Sequence, residues 1–278
     1  MEKYSVLMAV YEKEKPEYLA QSLKSMLAQT VPPDEIVLVE DGPLNCGLYH
    51  VIQSYKEHFP GQIQTVALAQ NSGLGRALNY GLSFCRNDLV ARMDSDDLSL
   101  PKRCEMQLRA FLRNPQLAIV GTQMDEFFLS PHHIVSVRAV PCAYRDILRF
   151  SRRRSPFNHP TVMFRKSVVV QLGGYGAYER KEDLDLFLRM LQEGYLAYNL
   201  KRSYLLYRTD ITNLRRRKRW INCKEYVQIM YRFHRKGYNS VADMIYVAAG
   251  QMVMYLAPEK LTQVLSSCFL RKRKRYEK

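Results

Sequence analysis

Arg92-Met93-Asp94-Ser95-Asp96-Asp97-Leu98-Ser99-Leu100-Pro101-Lys102-Arg103 places three carboxylates within four positions. They follow the apolar run Asp88-Leu89-Val90-Ala91-Arg92-Met93, whose length and make-up predict a buried strand. Carboxylates crowded at a strand end repel one another unless a cation lies among them. Mg2+ and Mn2+ take oxygen ligands, and Mg2+ is typically held by one or two carboxylates together with substrate phosphates. The stretch therefore predicts a metal–diphosphate site at the carboxyl edge of an open α/β sheet, where such sheets bind ligands. The alternative is a solvated acidic turn ahead of a helix opening near Pro101, with Ser99 as its N-cap.

Upstream, Tyr4 to Val10 is a near-continuous apolar run, the mark of a strand buried on both faces. Pro16 suits the first turn of a helix, in which Leu19, Leu23, Met26 and Leu27 recur at helical spacing before Pro32-Pro33 stops it. Glu35 to Val39 is a second strand, Leu48 to Phe59 a helix, Ile63 to Leu68 a third strand and Arg76 to Cys85 another helix. This alternation predicts an α/β layer on a mostly parallel sheet. Three strands would end in polar or acidic groups: Ala9-Val10-Tyr11-Glu12, Glu40-Asp41, and Asp94 with Asp96. Asp41 is placed to accept hydrogen bonds from a base edge, with Tyr11 beside it, although Asp-Gly-Pro also forms turns unaided. In the turn Gly73-Leu74-Gly75-Arg76, Arg76 is either a cation beside bound phosphate or a solvated residue at a helix cap.

Downstream come a helix (102–113), strands at 117–121 and 134–140, a helix at 144–150, a short strand over 159–164, and a helix closed by Gly173-Gly174. Glu182 and Asp183 open a further helix, where acids also suit the helix dipole. From Asn222 onward two basic, amphipathic helical segments follow, the second covering 241–256.

Charge separates the chain into two parts. Residues 1–200 carry 23 Lys/Arg against 22 Asp/Glu, whereas residues 201–278 carry 19 against 5. The basic character sits in Arg215–Arg219 and in Arg271–Arg275, an asymmetry that points to a polyanionic partner. Six scattered cysteines (46, 85, 104, 142, 223 and 268) form no Cys-x-x-Cys pair, which argues against zinc and for reduced thiols in a cytosolic compartment. No signal peptide is expected. The longest apolar stretch, Met244 to Ala257, falls short of the ~20 residues a spanning helix needs.

Taken in order, Ala9-Val10-Tyr11, Glu40-Asp41-Gly42, Asn71-Ser72-Gly73-Leu74, Arg92 to Asp97 and Glu182-Asp183 resemble the family 2 glycosyltransferases of the GT-A fold. The likeness is to the bacterial enzymes that assemble capsule and O-antigen repeat units, and it covers roughly residues 4–208. It implies a Rossmann-like, mostly parallel sheet flanked by helices over residues 1–210, followed by a basic α-helical extension over 211–278.

By that resemblance Asp41 holds the uracil of a UDP-sugar, and Ala9, Val10, Tyr11 and Glu12 line the nucleotide pocket. Asn71, Arg76 and Ser95 also belong to the nucleotide-sugar site. Asp94 contacts ribose or donor sugar. Asp96, supported by Asp94 and Asp97, binds Mn2+ or Mg2+ bridging the phosphates. Asp183, beside Glu182, is the general base. His159 stands where the family often has a histidine near donor or acceptor; a structural histidine is the alternative. Where the family commonly shows Tyr-Arg-x-His, this chain has Tyr207-Arg208-Thr209-Asp210, so Arg208 and Asp210 are weaker contact candidates.

The chemistry agrees with these roles. Negative charge develops on UDP as the sugar–phosphate bond breaks, and a metal neutralises it. An acceptor hydroxyl becomes a competent nucleophile when a carboxylate takes its proton, and one displacement from the far face inverts the anomeric carbon. The expected partners are a UDP-sugar, an undecaprenyl diphosphate-linked sugar and an anionic membrane surface bound through the basic C-terminus; nucleic acid is not expected. The expected place is the cytoplasm, peripheral to the inner face of the bacterial inner membrane. A non-catalytic basic adaptor on the same scaffold is the competing expectation. A nucleotidyltransferase that makes UDP-sugars is disfavoured because Val10 to Lys15 contains no glycine for a triphosphate loop.

Overall fold

The computed structural model describes residues 2–209 and 219–257. Its first half follows the expected alternation: β1 (Tyr4–Val10), α1 (Pro16–Leu27), β2 (Glu35–Glu40), α2 (Cys46–His58), β3 (Ile63–Ala67), α3 (Leu74–Phe84) and β4 (Leu89–Asp94). Pro16 sits in the first turn of α1, where its missing N–H costs nothing. Asn45 caps α2 by accepting from the Leu48 amide at 3.0 Å.

These strands pair in parallel in the order β3-β2-β1-β4. The register sets Val10 beside Glu40 and Ala9 beside Asp94, so the C-terminal ends of β1, β2 and β4 lie level on one edge. Apolar runs are needed because both faces are covered. Tyr4, Val6, Met8 and Val10 share a core with Leu19, Leu23, Leu48, Ile52 and Phe111. Leu7, Val37 and Val39 face Ala77, Leu78 and Leu82 of α3 on the other side.

The second half is wound differently. β5 (Leu98–Ser99), α4 (Arg103–Arg113), β6 (Leu117–Phe127), β7 (Ile134–Arg138) and α5 (Tyr144–Ser151) precede a 3-10 turn at His159–Thr161. β8 (Met163–Arg165), α6 (Lys166–Gln171), α7 (Glu182–Gln192) and β9 (Leu196–Arg208) follow, and then helices Trp220–Arg235 and Val241–Leu256. The sheet continues β4-β8-β6-β9-β5, with β7 on β6, giving nine strands among the described residues. β8 runs antiparallel to both β4 and β6, and β6 is parallel to β9. The sheet is therefore parallel throughout the half that carries the acidic turn and mixed beyond it.

Ser99 does not cap the next helix. It lies in β5 opposite Leu205 of β9, and Lys102 occupies the N-cap position of α4. The segment expected as a strand over 159–164 is a 3-10 turn followed by a three-residue strand, because Pro160 withholds a ladder donor. Helix Trp220–Arg235 packs Ile229, Met230 and Phe233 on Leu184 and Leu188 of α7, with Val247 completing that cluster. The expected boundary at 210/211, Asp210, most of the Arg215–Arg219 run and the Arg271–Arg275 tail lie outside the described residues. No helix among the described residues is long and apolar enough to cross a membrane.

Candidate active site

The acidic turn stands at the end of β4. Ligand atoms of Asp94, Asp96 and Asp97 all lie within 4.8 Å of one another. Asp97 is wholly buried; one carboxylate oxygen accepts from the Arg208 amide at 2.9 Å, while the other has no partner. Burial, then the charges of Asp96 and Asp94, hold its carboxyl well above the usual range. Burial with the Asp94 and Glu14 charges pushes Asp96 up to about 7. That crowding is the penalty a divalent cation relieves, and an all-oxygen donor set suits a hard ion.

The turn is braced from several directions. Arg208 Nε donates to the Asp96 carbonyl at 2.9 Å, and its guanidinium lies 3.8 Å from the Tyr18 ring centroid. Ser22 Oγ donates to the Asp94 carbonyl at 2.7 Å and Ser95 Oγ to Glu14 at 2.9 Å. Sequence reasoning gave neither Glu14 nor Arg92 a role. Arg92 is buried, and its Nη2 meets Asp94 Oδ1 at 2.5 Å. Its Nε and Nη1 have no partner. The available signal was a lone cation inside an apolar strand, since a buried charge demands a counter-charge. Arg103, also buried, donates to the Arg92 carbonyl at 2.6 Å and fixes the strand from behind.

Asp41 lies at the end of β2, and its carboxylate is buried. Its two oxygens accept from the Ser72 and Gly73 amides at 2.7 and 3.2 Å. Gly42 makes this approach possible: it sits at φ +86°, and a Cβ there would lie 2.6 Å from the Asn71 nitrogen. Asn71 Nδ2 reaches the Asp41 carbonyl at 3.4 Å. Ala9 is half-buried and Val10 buried, whereas Tyr11, Glu12 and Arg76 are exposed.

α3 carries the rim onward. Gly75 leaves only 3.0 Å between an added Cβ and the Glu182 Cβ, so the first turns of α3 and α7 touch. Glu182 is buried with Oε2 unpartnered, and burial plus the neighbouring Asp183 pushes its carboxyl up to about 8. Asp183 is half-buried. Tyr175 lies within the field of Arg92, Glu182, Asp183 and Asp94, which links α7 to the acidic turn. Through Gly73 and Gly75 the start of α3 thus meets both the Asp41 carboxylate and Glu182 of α7.

His159 is buried, with Nε2 3.1 Å from Tyr175 Oη and its ring against Phe187. Burial and the Arg92 charge depress it well below the ordinary histidine range. In this arrangement its ring packs against both Tyr175 and Phe187.

The sequence profile described as Glycosyl transferase family 2 matches residues 5–173. The UDP-Gal:alpha-D-GlcNAc-diphosphoundecaprenol beta-1,3-galactosyltransferase of Escherichia coli is 35% identical over 256 residues, covering 92% of each chain. The amylovoran biosynthesis glycosyltransferase AmsE of Erwinia amylovora is 38% identical over 226 residues, covering 81% of this chain and 84% of its own. Among solved structures, the Pyrobaculum calidifontis mannosyltransferase in complex with GDP-Man and Mn2+ superposes with a TM-score of 0.65 at 15% identity. That match covers 96% of this chain and 76% of the other. The likeness bears out the GT-A-like fold.

Proposed function

This chain belongs to the family 2 glycosyltransferases, and we propose that it moves a hexose from a UDP-sugar to a sugar on undecaprenyl diphosphate. The hexose is glucose, galactose or an N-acetyl form, and its anomeric carbon is inverted. The observation that carries this reading is the Asp94–Asp96–Asp97 cluster at the carboxyl edge of a parallel sheet. The named substrates of the E. coli relative support the donor and acceptor classes.

Asp41, with Ala9, Val10, Tyr11 and Glu12, would hold the nucleoside, and Asn71, Arg76 and Ser95 the diphosphate and sugar. Asp96, with Asp94 and Asp97, would hold Mn2+ or Mg2+, which fits their crowding and the unpartnered Asp97 oxygen. Such a cation supplies Lewis-acid neutralisation of charge on the departing UDP. Arg92 fixes the Asp94 carboxylate in place. Burial keeps Glu182 protonated near neutrality, leaving Asp183 to take the proton of the acceptor hydroxyl. Arg208 and Asp97 hold the turn shut from β9. The basic C-terminal residues would draw the enzyme to anionic lipid at the cytoplasmic face of the inner membrane, at about 1 kcal/mol per cation close to the surface.

UDP release across a panel of UDP-sugars with Mn2+ and a lipid-linked acceptor tests this. One sugar is expected to turn over, and EDTA or Asp96→Ala to abolish that turnover. Undiminished release after both treatments would remove the metal from the mechanism.

A further inference from the structure

The chemistry above makes no use of a second conspicuous surface. Helix Val241–Leu256 is held to the molecule on one side, through buried Val247 and through Asp243, which caps the helix and pairs with Arg153 at 2.5 Å. Among the described residues its other side is exposed. Val241, Ile245, Met252 and Leu256 recur at helical spacing and are 62%, 65%, 49% and 68% exposed. No charged residue interrupts positions 244–257. At the border stands the chain's single tryptophan, Trp220, 54% exposed, with its ring centroid 5.3 Å from that of Tyr255.

Soluble surfaces rarely leave so large an apolar stripe without a partner. The flanks are cationic: Arg219, Lys224, Arg235 and Lys236 are exposed on or beside the preceding helix. In sequence, the Arg215–Arg219 and Arg271–Arg275 runs bracket the pair of helices. An apolar face with aromatic rings at its edge and cations around it is the chemistry of a helix lying in a lipid interface. Two copies of this chain placed face to face would bring like charges together, so charge complementarity favours anionic lipid.

We propose that the exposed face of helix Val241–Leu256, with Trp220 and Tyr255 at its border, inserts into the headgroup layer of an anionic bilayer. The contact is apolar and goes beyond attraction of the basic runs. Its coupling to the site is visible in Glu225, five residues past Trp220. The Glu225 carboxylate accepts from the Glu179 and Arg180 amides at 2.8 and 2.9 Å, just ahead of Glu182 and Asp183. The inference builds on the membrane-bound acceptor proposed above. Vesicle binding is measured without donor or acceptor, so the two can fail separately.

The test mixes the full chain with vesicles of phosphatidylcholine alone, or with added phosphatidylglycerol, and reads Trp220 emission and co-sedimentation. A blue shift and sedimentation with anionic vesicles are expected. The double variant I245E/L256E should bind at least tenfold more weakly, lose the shift and keep the wild-type circular dichroism. Quenching of wild-type Trp220 by lipids brominated in the chain gives a readout that needs no variant. Variant binding within twofold of wild type, an unquenched tryptophan, or a dimer that the variant dissolves while vesicle binding persists would each overturn the proposal.

Discussion

The two halves of the sheet share an edge but are assembled by opposite rules. In β3-β2-β1-β4 every pairing is parallel. What a strand carries at its carboxyl end is delivered to the ligand edge by that winding alone. In β8-β6-β9 the chain returns antiparallel and then parallel, so its contribution comes through contacts that join distant positions. Arg208 reaches Asp97 and Asp96 from β9, and Glu182 reaches Gly75 from α7. On the proposed reading the first half holds the donor and the second supplies the proton acceptor.

This division can be broken first at Asp183. Asp183→Asn should cut turnover by about 10²–10⁴-fold, the usual worth of a general base, while UDP affinity stays within twofold. Single-turnover kinetics beside calorimetric UDP binding would check both. A parallel loss of UDP affinity would erase the distinction between the halves.

Gly42→Ala probes the donor side. A side chain at φ +86°, against the Asn71 nitrogen, should cost about 1–3 kcal/mol and weaken UDP binding by unseating the amides that grip Asp41. Thermal unfolding with and without UDP reads both effects, and an unchanged melting curve would contradict the close approach.

Glu182 sharpens the acceptor side through pH. Its carboxyl stands at about 8 in the native protein against an ordinary 4.5. Between those values the folded state keeps a proton that the unfolded chain has released. The stabilisation is present below the ordinary value and is lost as pH rises to about 8. Glu182→Gln should therefore gain on wild type by roughly 3 °C in Tm between pH 5 and pH 8.5; a constant gap would mean that Glu182 is ionised throughout.

The smallest effect belongs to the cap of α2. Asn45→Ala removes the acceptor for the Leu48 amide and the donor to the Glu12 carbonyl and should cost about 1 kcal/mol. Denaturant unfolding would measure it.

The first half was legible in the sequence because its signals are local. Buried parallel strands demand apolar runs, and the polar residues that follow them can only fall at strand ends, as at Val10-Tyr11, Glu40-Asp41 and Met93-Asp94. The second half was legible only as elements, since pairing order depends on contacts across the chain. Even in the first half, nothing in the sequence says that Glu14 comes beside Ser95 from the loop after β1. The N-cap expected at Ser99 failed for the same reason: β9, more than a hundred residues later, takes that position into the sheet. His159, expected either near donor or acceptor or as a structural histidine, is buried against Tyr175 and Phe187.

Calorimetric titration of UDP into the wild-type chain and the Asp96→Ala variant, with and without Mn2+, bears most directly on the acidic cluster. Mn2+ should tighten UDP binding to the wild type at least tenfold and leave the variant unchanged. Equal UDP affinity with and without Mn2+ in the wild type would contradict a cation held between those carboxylates and the diphosphate.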